Sequence, residues 1–162
     1  MSVNNLLRVS IESKRFPGSF LRIDGRGVEE FTGSGSGIVN AQTRVGSYET
    51  LIIVNHPEDN TFSILSSVFT NTYLRLDGSE VSSDERYPSG AGTVNCQFGS
   101  RTFEKFRFVD QEDGSKAIMS VRFPDVYLRL ENSSKAGGAG GGGTVNCQSY
   151  VGSYEKFVVR VL

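Results

Sequence analysis

Tryptophan is absent from this chain, histidine occurs once and cysteine twice. A zinc site or a histidine-based triad needs more partners than that, so no catalytic or metal-ligating set is expected. His56 stands next to Pro57 and reads as a solvated turn residue. An excess of one charge is missing too, with 17 basic against 18 acidic residues. That leaves no electrostatic footprint for nucleic acid and no polybasic membrane patch. No apolar run is long enough to span a bilayer, which argues against membrane insertion. The first ten residues lack a basic segment followed by an apolar one, so we expect a cytoplasmic location, with any secretion non-classical. Cys96 and Cys147 occupy matching positions, where an earlier stretch has Ala41. They read as small buried residues rather than a disulfide.

Helix-forming stretches are also scarce. What is present instead is 19 Gly, 11 Phe and 6 Tyr, in short apolar runs separated by Gly, Asn, Asp and Ser clusters. That pattern points to an all-β chain. The runs repeat. Phe-Leu-Arg-Ile-Asp-Gly at 20–25 returns as Tyr-Leu-Arg-Leu-Asp-Gly at 73–78 and Tyr-Leu-Arg-Leu-Glu-Asn at 127–132. Phe16, Phe69 and Phe123 each stand four residues before these blocks. Val39-Asn40-Ala41-Gln42 returns as Val94-Asn95-Cys96-Gln97 and Val145-Asn146-Cys147-Gln148. Nine residues beyond each Asn stand Glu49, Glu104 and Glu155, each after an aromatic residue.

Three blocks in one order, three times, imply a repeat architecture. Each unit holds four short strands. The first strands are expected at 7–13, 61–67 and 116–121, and the fourth at 49–54, 104–109 and 155–162. Propellers need more blades and solenoids need caps. Three four-stranded units close instead into a six-stranded barrel capped by three hairpins, a twelve-stranded β-trefoil with few free edges. We therefore expect one domain over 1–162, with repeats at about 1–55, 56–110 and 111–162.

Strand alternation separates inward from outward residues. Leu21 and Ile23 share one face, with Phe20, Arg22 and Asp24 on the other; Val39 and Ala41 oppose Asn40 and Gln42. Glu49, Glu104 and Glu155 fall on the apolar face at the strand start, where turn amides would have to satisfy them. The outward set comprises Arg22, Arg75 and Arg129, Asp24, Asp77 and Glu131, Asn40, Asn95 and Asn146, and Gln42, Gln97 and Gln148. Amide donors and acceptors beside an aromatic plate (Phe20, Tyr73, Tyr127) suit sugar hydroxyls and C–H faces, so these residues are the candidate carbohydrate-binding set. The competing reading pairs the Arg and Asp on the surface and lets the rings cover the barrel mouth. The glycine run at 137–143 lacks a following Lys-Ser/Thr and a helix, so it reads as a flexible hairpin tip and not a phosphate cradle. No cofactor is expected.

The order Tyr-Leu-Arg-Leu, Val-Asn-Cys-Gln, Gly-Ser-Tyr-Glu-Lys-Phe resembles the fascin-like branch of β-trefoils, most clearly at Gly46–Leu51 and Gly152–Phe157. The likeness spans all three units. It implies the trefoil fold, and either of the family's uses: actin crosslinking by strings of four trefoils, or carbohydrate binding by single fascin-like or ricin-type units. The chain differs in having Tyr48, Phe103 and Tyr154 where the bacterial pattern usually has Trp, and in lacking the ricin-type Gln-x-Trp. We expect a lectin that binds a glycan or glycoconjugate without catalysis, at up to three pseudo-equivalent sites whose combination would raise avidity. The alternative is a fascin-like cytoskeletal or other protein-binding module, and bundling by one trefoil would require a homodimer. A third option is a protease inhibitor that inserts the 79–92 loop.

Overall fold

The computed structural model describes residues 5–82 and 90–162. Twelve strands follow in chain order: β1 (Leu6–Ser13), β2 (Phe20–Asp24), β3 (Ile38–Gln42), β4 (Leu51–His56), β5 (Thr61–Ser66), β6 (Thr72–Asp77), β7 (Thr93–Phe98), β8 (Phe106–Asp110), β9 (Lys116–Ser120), β10 (Tyr127–Asn132), β11 (Thr144–Gln148) and β12 (Phe157–Val161). β1 pairs with β4, β4 with β5, β5 with β8, β8 with β9, β9 with β12 and β12 with β1, all antiparallel. That cycle is a closed six-stranded barrel without a free edge. The hairpins β2–β3, β6–β7 and β10–β11 each attach to it through one residue pair, Glu12 with Phe20, Leu65 with Tyr73 and Met119 with Tyr127. This is the β-trefoil expected from the repeats.

The inward residues of the alternation form the core. Val9, Ile11, Leu21, Ile23, Leu51, Ile64, Leu74, Leu76, Phe106, Ile118, Leu128, Leu130 and Phe157 are all fully buried. Ala41, Cys96 and Cys147 share one buried position, the cysteines are free, and burial pushes both thiols up to about 12.

The repeats are sewn together by aromatics. Each strand β1, β5 and β9 ends in a serine (Ser13, Ser66, Ser120) whose hydroxyl accepts the N–H of Phe16, Phe69 or Phe123 three residues on. This local bond turns the chain toward the next hairpin. Each Phe then meets a ring of the preceding repeat: Phe69 against Tyr48 at 5.1 Å, Phe123 against Phe103 at 5.1 Å and Phe16 against Tyr154 at 5.7 Å. Gly25 and Gly78 lie under the incoming phenylalanines; a Cβ at Gly25 would sit 2.9 Å from Phe69.

Two local expectations need correction. The recurrent glutamates do not begin the fourth strands. They close 3-10 turns at Ser47–Glu49, Thr102–Glu104 and Ser153–Glu155, and those strands begin two residues later. The cause is local: each Glu Oε1 accepts the N–H of the residue three earlier, Gly46 at 2.8 Å, Arg101 at 2.8 Å and Gly152 at 2.6 Å. His56 is not a solvated turn residue. It ends β4, half-buried, with Nε2 2.9 Å from the fully buried Ser63 hydroxyl, which lies 2.6 Å from Ser100 Oγ.

Candidate functional site

The site is built on the recurrent arginines. Arg22, Arg75 and Arg129 alternate away from the barrel core, as the pattern requires, yet they are only 5 %, 4 % and 1 % exposed. The outward placement is therefore corrected. A second layer covers this face, because each 3-10 turn folds back over its own hairpin. Each guanidinium lies over the ring of that turn, Tyr48 at 4.7 Å, Phe103 at 5.0 Å and Tyr154 at 4.8 Å. In the first and third repeats the turn's glutamate is its counter-charge: Arg22 Nε is 3.5 Å from Glu49 Oε2 and Arg129 Nε is 3.1 Å from Glu155 Oε2. Asp24, Asp77 and Glu131 hold the other side at 3.6, 3.6 and 2.7 Å. The aromatic plate next to the arginines is thus Tyr48, Phe103 and Tyr154, not Phe20, Tyr73 and Tyr127, which remain half-buried on the hairpin strands.

In the first two repeats the amides fasten one repeat to another. Each hairpin loop crosses to another repeat and adds to its third strand. The β2–β3 loop joins β7 through Ser36 and Cys96, the β6–β7 loop joins β11 through Ala91 and Cys147, and the β10–β11 loop joins β3 through Gly142 and Ala41. Gln97 exchanges two hydrogen bonds with the Thr32 backbone, and Gln42 Nε2 donates to the Gly138 carbonyl at 2.8 Å. Asn40 and Asn95 donate to the carbonyls of Gly140 and Ser34. Gln148 accepts the Ser149 N–H, and Asn146 donates to Glu131. Gln42, Gln97 and Gln148 are consequently buried rather than outward, as is Asp24, while Asn40, Asn95, Asn146, Asp77 and Glu131 stay partly exposed. Unsatisfied amides buried in this way would each cost about 1–3 kcal/mol, so the loop carbonyls are required partners.

The same docking corrects the reading of the glycine run. Its tip lies against β3 rather than hanging free. Gly141 has φ +68°, and a Cβ there would sit 2.6 Å from the Ala41 carbonyl oxygen. Gly35 in the first hairpin loop repeats this, with φ +69° and the Cys96 oxygen at 2.6 Å. Glycine is needed for close approach of backbone to backbone. Part of the 79–92 loop, residues 83–89, lies outside the described residues.

Where a loop from one repeat arches over the arginine of the next, a cavity remains. Over Arg22 it measures about 510 Å³ and is lined by Arg26, Gln42, Arg44, Ser47, Tyr48 and Glu49, with Ala139 and Gly140 as its roof. Over Arg75 it shrinks to about 200 Å³, because Phe31 of the incoming loop stacks 3.8 Å from the Arg101 guanidinium. Of the predicted residues, Arg22 and Gln42 meet in the first cavity and Arg75 and Gln97 in the second.

Arg26, Arg44, Ser47 and Tyr48 were not among the expected site residues. For the arginines a signal existed, in the positions where the repeats disagree: Arg26 aligns with Ser79 and Ser133, and Arg44 with Gly99 and Tyr150. Burial raises the Glu104 and Glu155 carboxyls above their ordinary range. Asp24 is lowered, chiefly by hydrogen bonds from Arg26, whose guanidinium holds both its oxygens.

No family model and no curated protein matches the chain. Solved structures do. A mosquitocidal holotoxin superposes with TM-score 0.71 at 12% identity over 94% of this chain, which spans 17% of that protein. ThreeFoil, a designed 3-fold symmetric protein, gives 0.69 at 15% identity, covering 94% of this chain and 96% of its own. A Polyporus squamosus lectin, solved with the epitope Neu5Aca2-6Galb1-4GlcNAc, gives 0.66 at 16% identity over 99% of this chain and 51% of the lectin. These likenesses carry the fold and stop there.

Proposed function

We propose that the protein binds saccharides without catalysing a reaction, with the cavity of repeat 1 as its principal site. The observation that carries this reading is the cavity itself. About 510 Å³ is the size of an ordinary small-molecule site, and its wall combines an aromatic ring, a serine, an amide and guanidinium groups. Such a wall offers hydroxyl partners and a surface for sugar C–H groups. The buried Arg22, Gln42 and Glu49 act as a rigid floor, and Arg44, Ser47 and Tyr48 supply accessible contacts. The lectin character of a protein sharing the fold adds support. His56 is absent from this lining, and the pairing of Arg22 with Glu49 leaves the carboxylate committed as a counter-charge. The cavities over Arg22 and Arg75 differ in size and lining, so these two sites are not equivalent and the first is the larger.

A glycan array probed with the native chain tests this. The expected result is binding to a subset of glycans that free saccharide competes away. Binding to none of them would overturn the reading, and co-sedimentation with actin filaments would favour the cytoskeletal alternative instead.

A further inference from the structure

We infer that the repeat 1 cavity selects saccharides bearing an anionic group, a carboxylate or a sulfate ester, with Arg44 as the principal partner and Arg26 beside it. The inference rests on the saccharide reading and adds the charge of the ligand to it. Three guanidiniums line the cavity, those of Arg22, Arg26 and Arg44, and Glu49 is the only carboxylate in its wall. Arg22 is engaged by Glu49 and Asp24, and Arg26 by Asp24. With these two carboxylates counted, one positive charge is left over, and it sits on Arg44. Arg44 is exposed, and no carboxylate of the described residues lies within ion-pair distance of it.

The fold does not require this charge. The other two repeats build the same hairpin, 3-10 turn and buried arginine with Gly99 or Tyr150 at the position of Arg44, and Ser79 or Ser133 at that of Arg26. The roof also lacks negative side chains at Ala139 and Gly140, and a Cβ at Gly140 would meet nothing within 4 Å. The nearby carbonyls of Gly138 and Gly140 are turned to the Gln42 and Asn40 amides. An anionic group entering here meets a forked donor and loses little to repulsion.

Calorimetry on the native chain with matched oligosaccharides provides the test: one scaffold neutral, one ending in a uronic acid and one carrying a sulfate ester, with inorganic sulfate as a sugar-free probe. The anionic forms are expected to bind about tenfold tighter than the neutral one, a preference that shrinks with added salt. Arg44→Gln should bring anionic and neutral forms to within about twofold of each other. Arg8→Gln, which removes the same charge from β1 outside the cavity, should keep the native ratio. Whether uronic acid or sulfate is preferred identifies the anionic group, and a preference for either sustains the inference. Equal binding of neutral and anionic forms would overturn the inference and leave the saccharide reading intact. Binding of none, or of inorganic sulfate alone, would overturn both.

Discussion

Over Arg22 the space beneath the incoming loop is open and carries Arg26 and Arg44; over Arg75 its counterpart is less than half as large, with Phe31 laid across Arg101. The floors of the two are alike, with a buried arginine on an aromatic ring, a glutamate from the 3-10 turn and a glutamine tied to the loop above. The comparison separates two kinds of residue. Those recurring in all three units hold the trefoil together, and those differing between units shape what each cavity can accept. The recurrent arginines and glutamines, which suggested binding residues in the sequence, stand at buried positions in the structure.

The strongest way to break that division is to remove one residue of each kind. Arg129→Ala leaves the buried Glu155, 3.1 Å away, without its counter-charge and should cost about 3–5 kcal/mol in chemical denaturation. Arg44→Ala should stay within about 0.5 kcal/mol. A large loss at Arg44 would make it part of the frame and undo the distinction.

The roofs offer a second, smaller contrast. Gly141→Ala over repeat 1 and Gly35→Ala over repeat 2 force a side chain onto φ values of +68° and +69° and against a backbone oxygen. Each should lose about 1–3 kcal/mol by the same denaturation measurement. Gly140→Ala, with open space at its Cβ, should change stability by less than about 0.5 kcal/mol. Equal effects at 140 and 141 would mean the loop is not pressed onto β3 as described.

The smallest effect concerns pH. Burial raises the Glu104 carboxyl, so the folded form holds its proton more tightly than the unfolded form. That contribution is fully present below the unfolded value, near 4.5, and is lost as pH rises through the higher folded value. Asp24 behaves oppositely: Arg26 lowers it, so its contribution exists above 3.8 and is lost as pH falls through the lower folded value. Urea titrations across the acid range should show Glu104→Gln flattening the decline on the rising side of 4.5, and Asp24→Asn flattening the acid loss below 3.8. Parallel pH profiles for both variants would refute the contrast between the two carboxylates.

The sequence by itself determined the architecture. Three copies of a Tyr-Leu-Arg-Leu block, a Val-Asn-Cys-Gln block and an aromatic-Glu pair admit a closed threefold barrel, and period-two alternation identified Leu21, Ile23, Leu74, Leu76, Leu128 and Leu130 as core. It also foresaw that Glu49, Glu104 and Glu155 would find turn amides. Tertiary structure alone decided the fate of the other face. Alternation says which side of a strand a residue occupies but not what lies across from it. The 3-10 turns and the loops of neighbouring repeats cover that side, so Arg22, Arg129, Gln42 and Gln97 are buried by partners remote in the chain, Gly138 reaching Gln42 across 96 positions. Those same loops, with Phe31 above one arginine and Ala139–Gly140 above the other, set the size of each cavity, because a bulky ring fills what two small residues leave open.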